Sequence, residues 1–125
     1  MKLSGGRSVM INLKIKEWAK TNLIGKTIKC PHLGVDITFT MSGVKEAINQ
    51  PHKHLYYKNE SIKDIMNVLP SSTFVGTIAH SSGNPNLVYH YFKTIIEGEH
   101  SYIVLRETKH NNVVIFYSIV DYIKK

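Results

Sequence analysis

With 125 residues the chain is long enough to bury one real core and too short to divide comfortably into two domains. Sixteen Lys and Arg against nine Asp and Glu leave a formal charge of +7 and a pI near 9.5. That balance suits a polyanionic partner such as nucleic acid or an anionic membrane surface, and an inert basic surface would show it equally. The single cysteine, Cys30, excludes an intrachain disulfide, so packing must supply the stability and a reducing compartment such as the cytoplasm is acceptable.

No apolar run approaches the roughly 18 residues a bilayer span requires, so no membrane insertion is expected. The charges in MKLSGGRSVMINLKIKEW stand too close together for a signal-peptide core. Residues 1–10 read as a flexible lead-in or as linker from a larger protein, which leaves 11–125 as one domain. From there to Leu23, Ile11, Ile15, Trp18, Ala19 and Leu23 recur at helical spacing, with Gly25 just past the end. The alternation Ile11, Leu13, Ile15 would also suit a short strand ahead of that helix.

Residues 26–30 and 35–40 are extended candidates around PHLG, a small hairpin. In SGVKEAINQ, Val44, Ala47 and Ile48 form a helical stripe with Ser42 as a possible cap, and Pro51 ends it by pushing Gln50 away from helical angles. Ser61 with Asp64 three residues on predicts a capped helix whose stripe is Ile62, Ile65, Met66 and Leu69, terminated by Pro70. The stretch QPHKHLYYKN, residues 50–59, then connects two short helices, a usual position for functional groups. Strands are expected over 73–79, 87–96, 100–108 and 113–120, separated by HSSGNPN, EGE and KHNN. The expected fold class is α+β, with N-terminal helices packed on one face of a four- to five-stranded antiparallel sheet.

Strand alternation sorts the faces. Val88, Phe92 and Ile96 share one side with His90, which reads as a satisfied buried histidine, while Tyr89, Tyr91 and Lys93 share the other. Tyr102 and Arg106 point outward beside them, and whether Tyr117 or Ser118 does so is open, because VVIFYSIV is apolar on both faces. Tyr89, Tyr91, Lys93, Tyr102 and Arg106 would together suit single-stranded nucleic acid, rings stacking on bases and cations meeting phosphate. Tyrosine's preference for strands gives the same pattern without a ligand.

His52 and His54 flank Lys53, and Lys45 stands on the preceding helix. Cleaving RNA needs a base for the 2′-hydroxyl, an acid for the 5′-oxygen and cations for the phosphoryl charge, and these residues supply all three without a metal or other cofactor. The competing chemistry is zinc held by Cys30, His32, His52 and His54, at spacings that match no standard pattern. Solvated loop histidines are the plainest alternative.

The run DITFTMSGVKEAINQPHKH, a capped helix, then LVYHYF, SYIVLRE and VVIFYSIVDYI resembles the nuclease superfamily that groups barnase, EndoU, colicin and RelE domains. It is most similar to versions attached to phage polyvalent proteins and polymorphic toxins. The resemblance covers about residues 26–123 and is one of pattern. It implies a metal-independent endoribonuclease, a toxin or phage-effector domain, acting in the cytoplasm, for which delivery as part of a larger protein is one route. In that reading Lys45, His52 and His54 match the basic helical segment, Arg106 the strand-borne cation, and Tyr117 or Ser118 the last strand's hydroxyl. Lys53, Tyr89, Tyr91, Lys93 and Tyr102 would hold the RNA, and an acidic immunity or antitoxin protein is the implied partner. The alternative is a non-catalytic nucleic-acid or protein-binding module of a larger phage or mobile-element protein.

Overall fold

The computed structural model describes residues 4–30, 32–79 and 86–123. The loop predicted over 80–86 lies outside them except for Asn86, as does Pro31 of the predicted turn. Helix α1 spans Ser4–Asn22 and so reaches into the stretch read as a lead-in. Ile15, Ala19 and, just past its end, Leu23 are fully buried at helical spacing. Gly25, at φ +88, turns the chain out of the helix, and its N–H donates to the Phe39 carbonyl.

Strands β1 (Thr27–Cys30) and β2 (Val35–Thr38) form the expected antiparallel hairpin. Helix α2 (Met41–Asn49) follows, capped by Thr40, whose hydroxyl accepts from the Gly43 N–H at 3.1 Å, and not by Ser42. Gln50 is extended before Pro51, as predicted.

The next helical segment departs from the sequence reading. Helix α3 covers Leu55–Ser61, a 3-10 turn follows over Ile62–Asp64, and α4 runs Ile65–Ser71 with Pro70 inside its last turn. Ser61 therefore closes a helix and does not cap one; its Oγ donates back to the Lys58 carbonyl at 2.6 Å. The reason is tertiary. Lys58 and Asn59 are buried together with Ile62, Ile65 and Leu69, so the helical path continues upstream of the apolar stripe.

Strands β3 (Thr73–Ala79), β4 (Leu87–Ile96), β5 (Glu99–Thr108) and β6 (Val113–Val120) stand within a residue of their predicted bounds. A two-residue turn, Glu97 and Gly98, joins β4 to β5 with positive φ at both positions, the backbone that matches strand twist. The sheet has six strands in the order β1-β2-β6-β5-β4-β3 and is mixed, since β2 pairs with β6 in parallel through Ile37↔Val114 and Thr38↔Ile115. This corrects the expected four to five antiparallel strands: β6 is apolar on both faces, and its open edge recruits the hairpin, with α2 packed alongside.

The helices cover one face. Phe92, Ile103, Leu105, Phe116 and Ile119 from the sheet meet Ile15, Ala47, Ile62 and Ile65 there, and Phe39 packs on Phe116 with centroids 5.8 Å apart. The sheet curls toward this face until His32, between β1 and β2, stacks on Phe74 of the opposite edge strand at 3.9 Å. Among the described residues no helix packs on the other face, which holds Tyr89, Tyr91, Tyr102 and Tyr117.

Candidate nucleic-acid interface

Register decides which side chains meet. Across β4 and β5, Tyr89 faces Arg106, Tyr91 faces Val104 and Lys93 faces Tyr102, so all six share the helix-free face. In β6 the register shifts between Leu105↔Phe116 and Val104↔Ser118, which leaves Tyr117 as the extra residue of a bulge. The bulge answers the question of which hydroxyl turns outward: Tyr117 joins the tyrosine face, and Ser118 stands opposite Val104 on the same side.

The result is a compact cluster. The Arg106 guanidinium lies 4.8 Å from the centre of the Tyr117 ring, and the Tyr89 ring is 5.7 Å from the same ring. Burial raises the Tyr89 phenol above its ordinary range, with further rises from Tyr117 and from Glu46 on α2, opposed by Arg106. Tyr91 is raised by burial and then by Tyr89. Both phenols stay protonated and able to donate at neutral pH.

Two atoms on this face are buried without a partner among the described residues: Arg106 Nε and Ser118 Oγ. Among the described residues, no carboxylate forms an ion pair with Arg106. Glu46 on α2, whose charge raises Tyr89, accepts a hydrogen bond from Gln50. A half-buried cation stacked on a ring, with its buried Nε short of an acceptor, is half of an anion site.

The histidine connection is elsewhere. The His54 N–H donates to His52 Nδ1 at 2.9 Å, which places the neutral ring's proton on Nε2, facing Ser101 Oγ at 2.8 Å. Desolvation is the main cause that lowers the His52 pKa; Asp121 raises it, and Lys58, His54 and Lys53 lower it further. The Lys53 N–H donates to the Asp121 carboxylate at 2.9 Å, and its Nζ stands 3.8 Å from Glu99. His54 caps α3 through its backbone only, its ring 6.1 Å from that of His52. Behind them the buried Lys58 ammonium donates to the carbonyls of Ala47 and Ile48 at the end of α2.

Ser101 and Arg106 are five residues apart on β5, so they face opposite sides and stand about 17 Å apart along the strand. The expected catalytic set therefore splits. His52, His54 and Lys53 gather near the β4–β5 turn on the helix side, whereas Arg106, Tyr117, Ser118 and Tyr89 gather on the helix-free face with Tyr91, Lys93 and Tyr102. Lys45 is exposed on α2, without an ion pair among the described residues. Sequence reasoning missed Glu46, whose side chain matters only once α2 lies beside β6. Among the described residues no three His, Cys, Asp or Glu side chains gather as a metal site, and no helix is long and apolar enough to cross a membrane.

No curated protein and no solved structure matches the chain. Residues 10–117 match the family model described as large polyvalent protein-associated domain 3. This supports the association with polyvalent proteins and leaves the likeness to the barnase, EndoU and RelE nucleases resting on sequence pattern. Matched over most of its length, the chain belongs to the large polyvalent protein-associated domain 3 family.

Proposed function

We propose that this domain binds single-stranded RNA on the helix-free face of its sheet. The observation that carries the reading is Arg106, a cation stacked on Tyr117 with its Nε buried and unpartnered, on the face that also carries the equally unpartnered Ser118 hydroxyl. A phosphate oxygen supplies the acceptor both lack. Tyr91 and Tyr102 offer rings for bases on the same face, Lys93 offers a second cation, and the charge of +7 attracts the strand.

Metal-independent cleavage of that RNA, as in a toxin or phage effector, is the second reading. What favours it is that the Tyr89 phenol feels the charges of both Arg106 and Glu46, a guanidinium and a carboxylate, the group types that general acid/base cleavage requires. His52 is less suited to the work, because both of its ring nitrogens are already engaged. An acidic antitoxin would recognise the same basic face.

Anisotropy of a fluorescent oligouridylate at two salt concentrations tests the binding. Arg106→Ala should weaken it about tenfold or more, and Lys93→Ala should lower the salt slope by about one. The double variant His52→Ala/His54→Ala should keep the affinity. Unchanged binding by Arg106→Ala would sink the reading. Cleavage of transfer RNA in EDTA that disappears in Glu46→Gln would establish the nuclease form.

A further inference from the structure

On the concave side of the sheet, toward its far end from the histidine connection, stands a second group of polar residues that the RNA reading does not use. His90 on β4 is 5% exposed, and its Nε2 lies 2.7 Å from the Glu107 carboxylate on β5. Its Nδ1 lies 2.7 Å from the Thr77 hydroxyl on β3. Register creates the row: Thr77 pairs with His90 across β3 and β4, and Glu107 is the diagonal neighbour of His90 on β5.

The hydrogen positions follow from what each group can do. An ionised carboxylate only accepts, so with the ring neutral Nε2 carries the proton and Nδ1 presents its lone pair. Thr77 must then donate, leaving its oxygen lone pairs turned away from the ring. Thr77 is exposed while the imidazole behind it is buried, so the hydroxyl is the part of the row that an incoming molecule meets.

Two further features lie along the same strands. Phe74 and Phe92, one row along on the same face, line a neighbouring cavity of 370 Å³ with Cys30, Ile37 and Leu69 and the polar Lys29, His32 and Ser72. Among the described residues β3 is the last strand of the sheet, with a bulge between Phe74 and Gly76, so its outer amides have no ladder partner there and can donate to an oxyanion. Hydroxyl, base, carboxylate and outward amides, with a largely apolar cavity next to them, are the parts of an acyl-transfer site.

We propose that Thr77 is a nucleophile toward activated esters with a short apolar acyl group, with His90 as general base and Glu107 as the group that positions it. The Thr77 oxygen bonds to the carbonyl carbon as its proton passes to His90 Nδ1. The tetrahedral intermediate collapses by breaking the bond to the leaving oxygen, which takes that proton from His90. This gives O-acyl-Thr77 and the free alcohol or phenol. Water repeats the sequence, giving its proton to His90 and releasing the acid as Thr77 recovers its own. The inference stands apart from the RNA reading and shares no residue with it.

The test is p-nitrophenyl butyrate with the full chain, following nitrophenolate release and mapping the acylated peptide by mass spectrometry. The expected result is one butyryl group on Thr77, or turnover that depends on it, falling about 100-fold or more in Thr77→Val and in Glu107→Gln and restored by Thr77→Ser. Far-ultraviolet circular dichroism identifies the folded variants, and Thr77→Val, at an exposed position on an edge strand, suits the β fold. Label confined to lysines, equal release by folded Thr77→Val, or no reaction of the folded wild type would each overturn the proposal.

Discussion

The histidine connection and the tyrosine face are both rich in groups that do chemistry, and they differ in what those groups already touch. Around residues 52–61, His52 spends both ring nitrogens, Lys53 meets Asp121 and Glu99, and Lys58 closes the end of α2. On the tyrosine face, Arg106 Nε and Ser118 Oγ are buried with nothing to bond among the described residues. Density of histidine and lysine thus marks a clamp in the first region. Unmet hydrogen-bonding capacity marks the better site in the second.

Gly43→Ala should break both regions at once, and it carries the largest expected effect. A Cβ there would stand 2.0 Å from the Phe116 carbonyl oxygen. Either α2 lifts from β6 or the bulge region moves, and α2 carries Glu46 on its way to the connection. Urea unfolding should show a loss of about 3 kcal/mol or more, and full stability would mean that α2 does not dock this closely.

Lys58→Ala separates the two regions. It leaves the carbonyls of Ala47 and Ile48 without their donor in a buried site and should cost about 2–3 kcal/mol. RNA affinity of the folded fraction should hold. Burial pushes the Lys58 ammonium down to about 8 from its usual 10.5. Between those values the unfolded chain holds a proton that the folded chain has released, so wild-type stability should rise with pH across that window and the rise should vanish in Lys58→Met. A flat profile in the wild type would mean that the two carbonyls fully offset the desolvation.

Much of this architecture could be read from local pattern. Alternation placed Tyr89, Tyr91, Lys93, Tyr102 and Arg106 on one face, because strand period is a property of neighbours in sequence. The mixed sheet could not be read that way, since Ile37 meets Val114 across a separation no local signal spans. Ser61 misled for a related reason: its capping pattern is genuine, yet burial of Lys58 and Asn59 carries the helix past it. His90 was legible as a satisfied buried histidine, but Thr77 and Glu107 become its partners only through the register of three strands. PHKH drew attention by composition, and composition does not reveal that the His52 ring is fixed by a backbone amide and a serine.

The smallest expected effect tests that clamp directly. With desolvation as the main cause, the folded His52 pKa lies below its ordinary 6.5, so the unfolded chain takes up the proton first as the solution is acidified. The contribution is complete above the ordinary value and is lost as pH falls from there through the folded value, because a proton on Nδ1 would face the His54 N–H donor. His52→Gln removes that titration and should cost on the order of 1 kcal/mol at neutral pH, with a flatter profile on the acid side. Urea midpoints over the mildly acidic range measure it. If His52→Gln instead abolished an RNA-cleaving activity while leaving the fold intact, the ring would be reactive in spite of its two bonds, and the division between a wired region and an open one would fail.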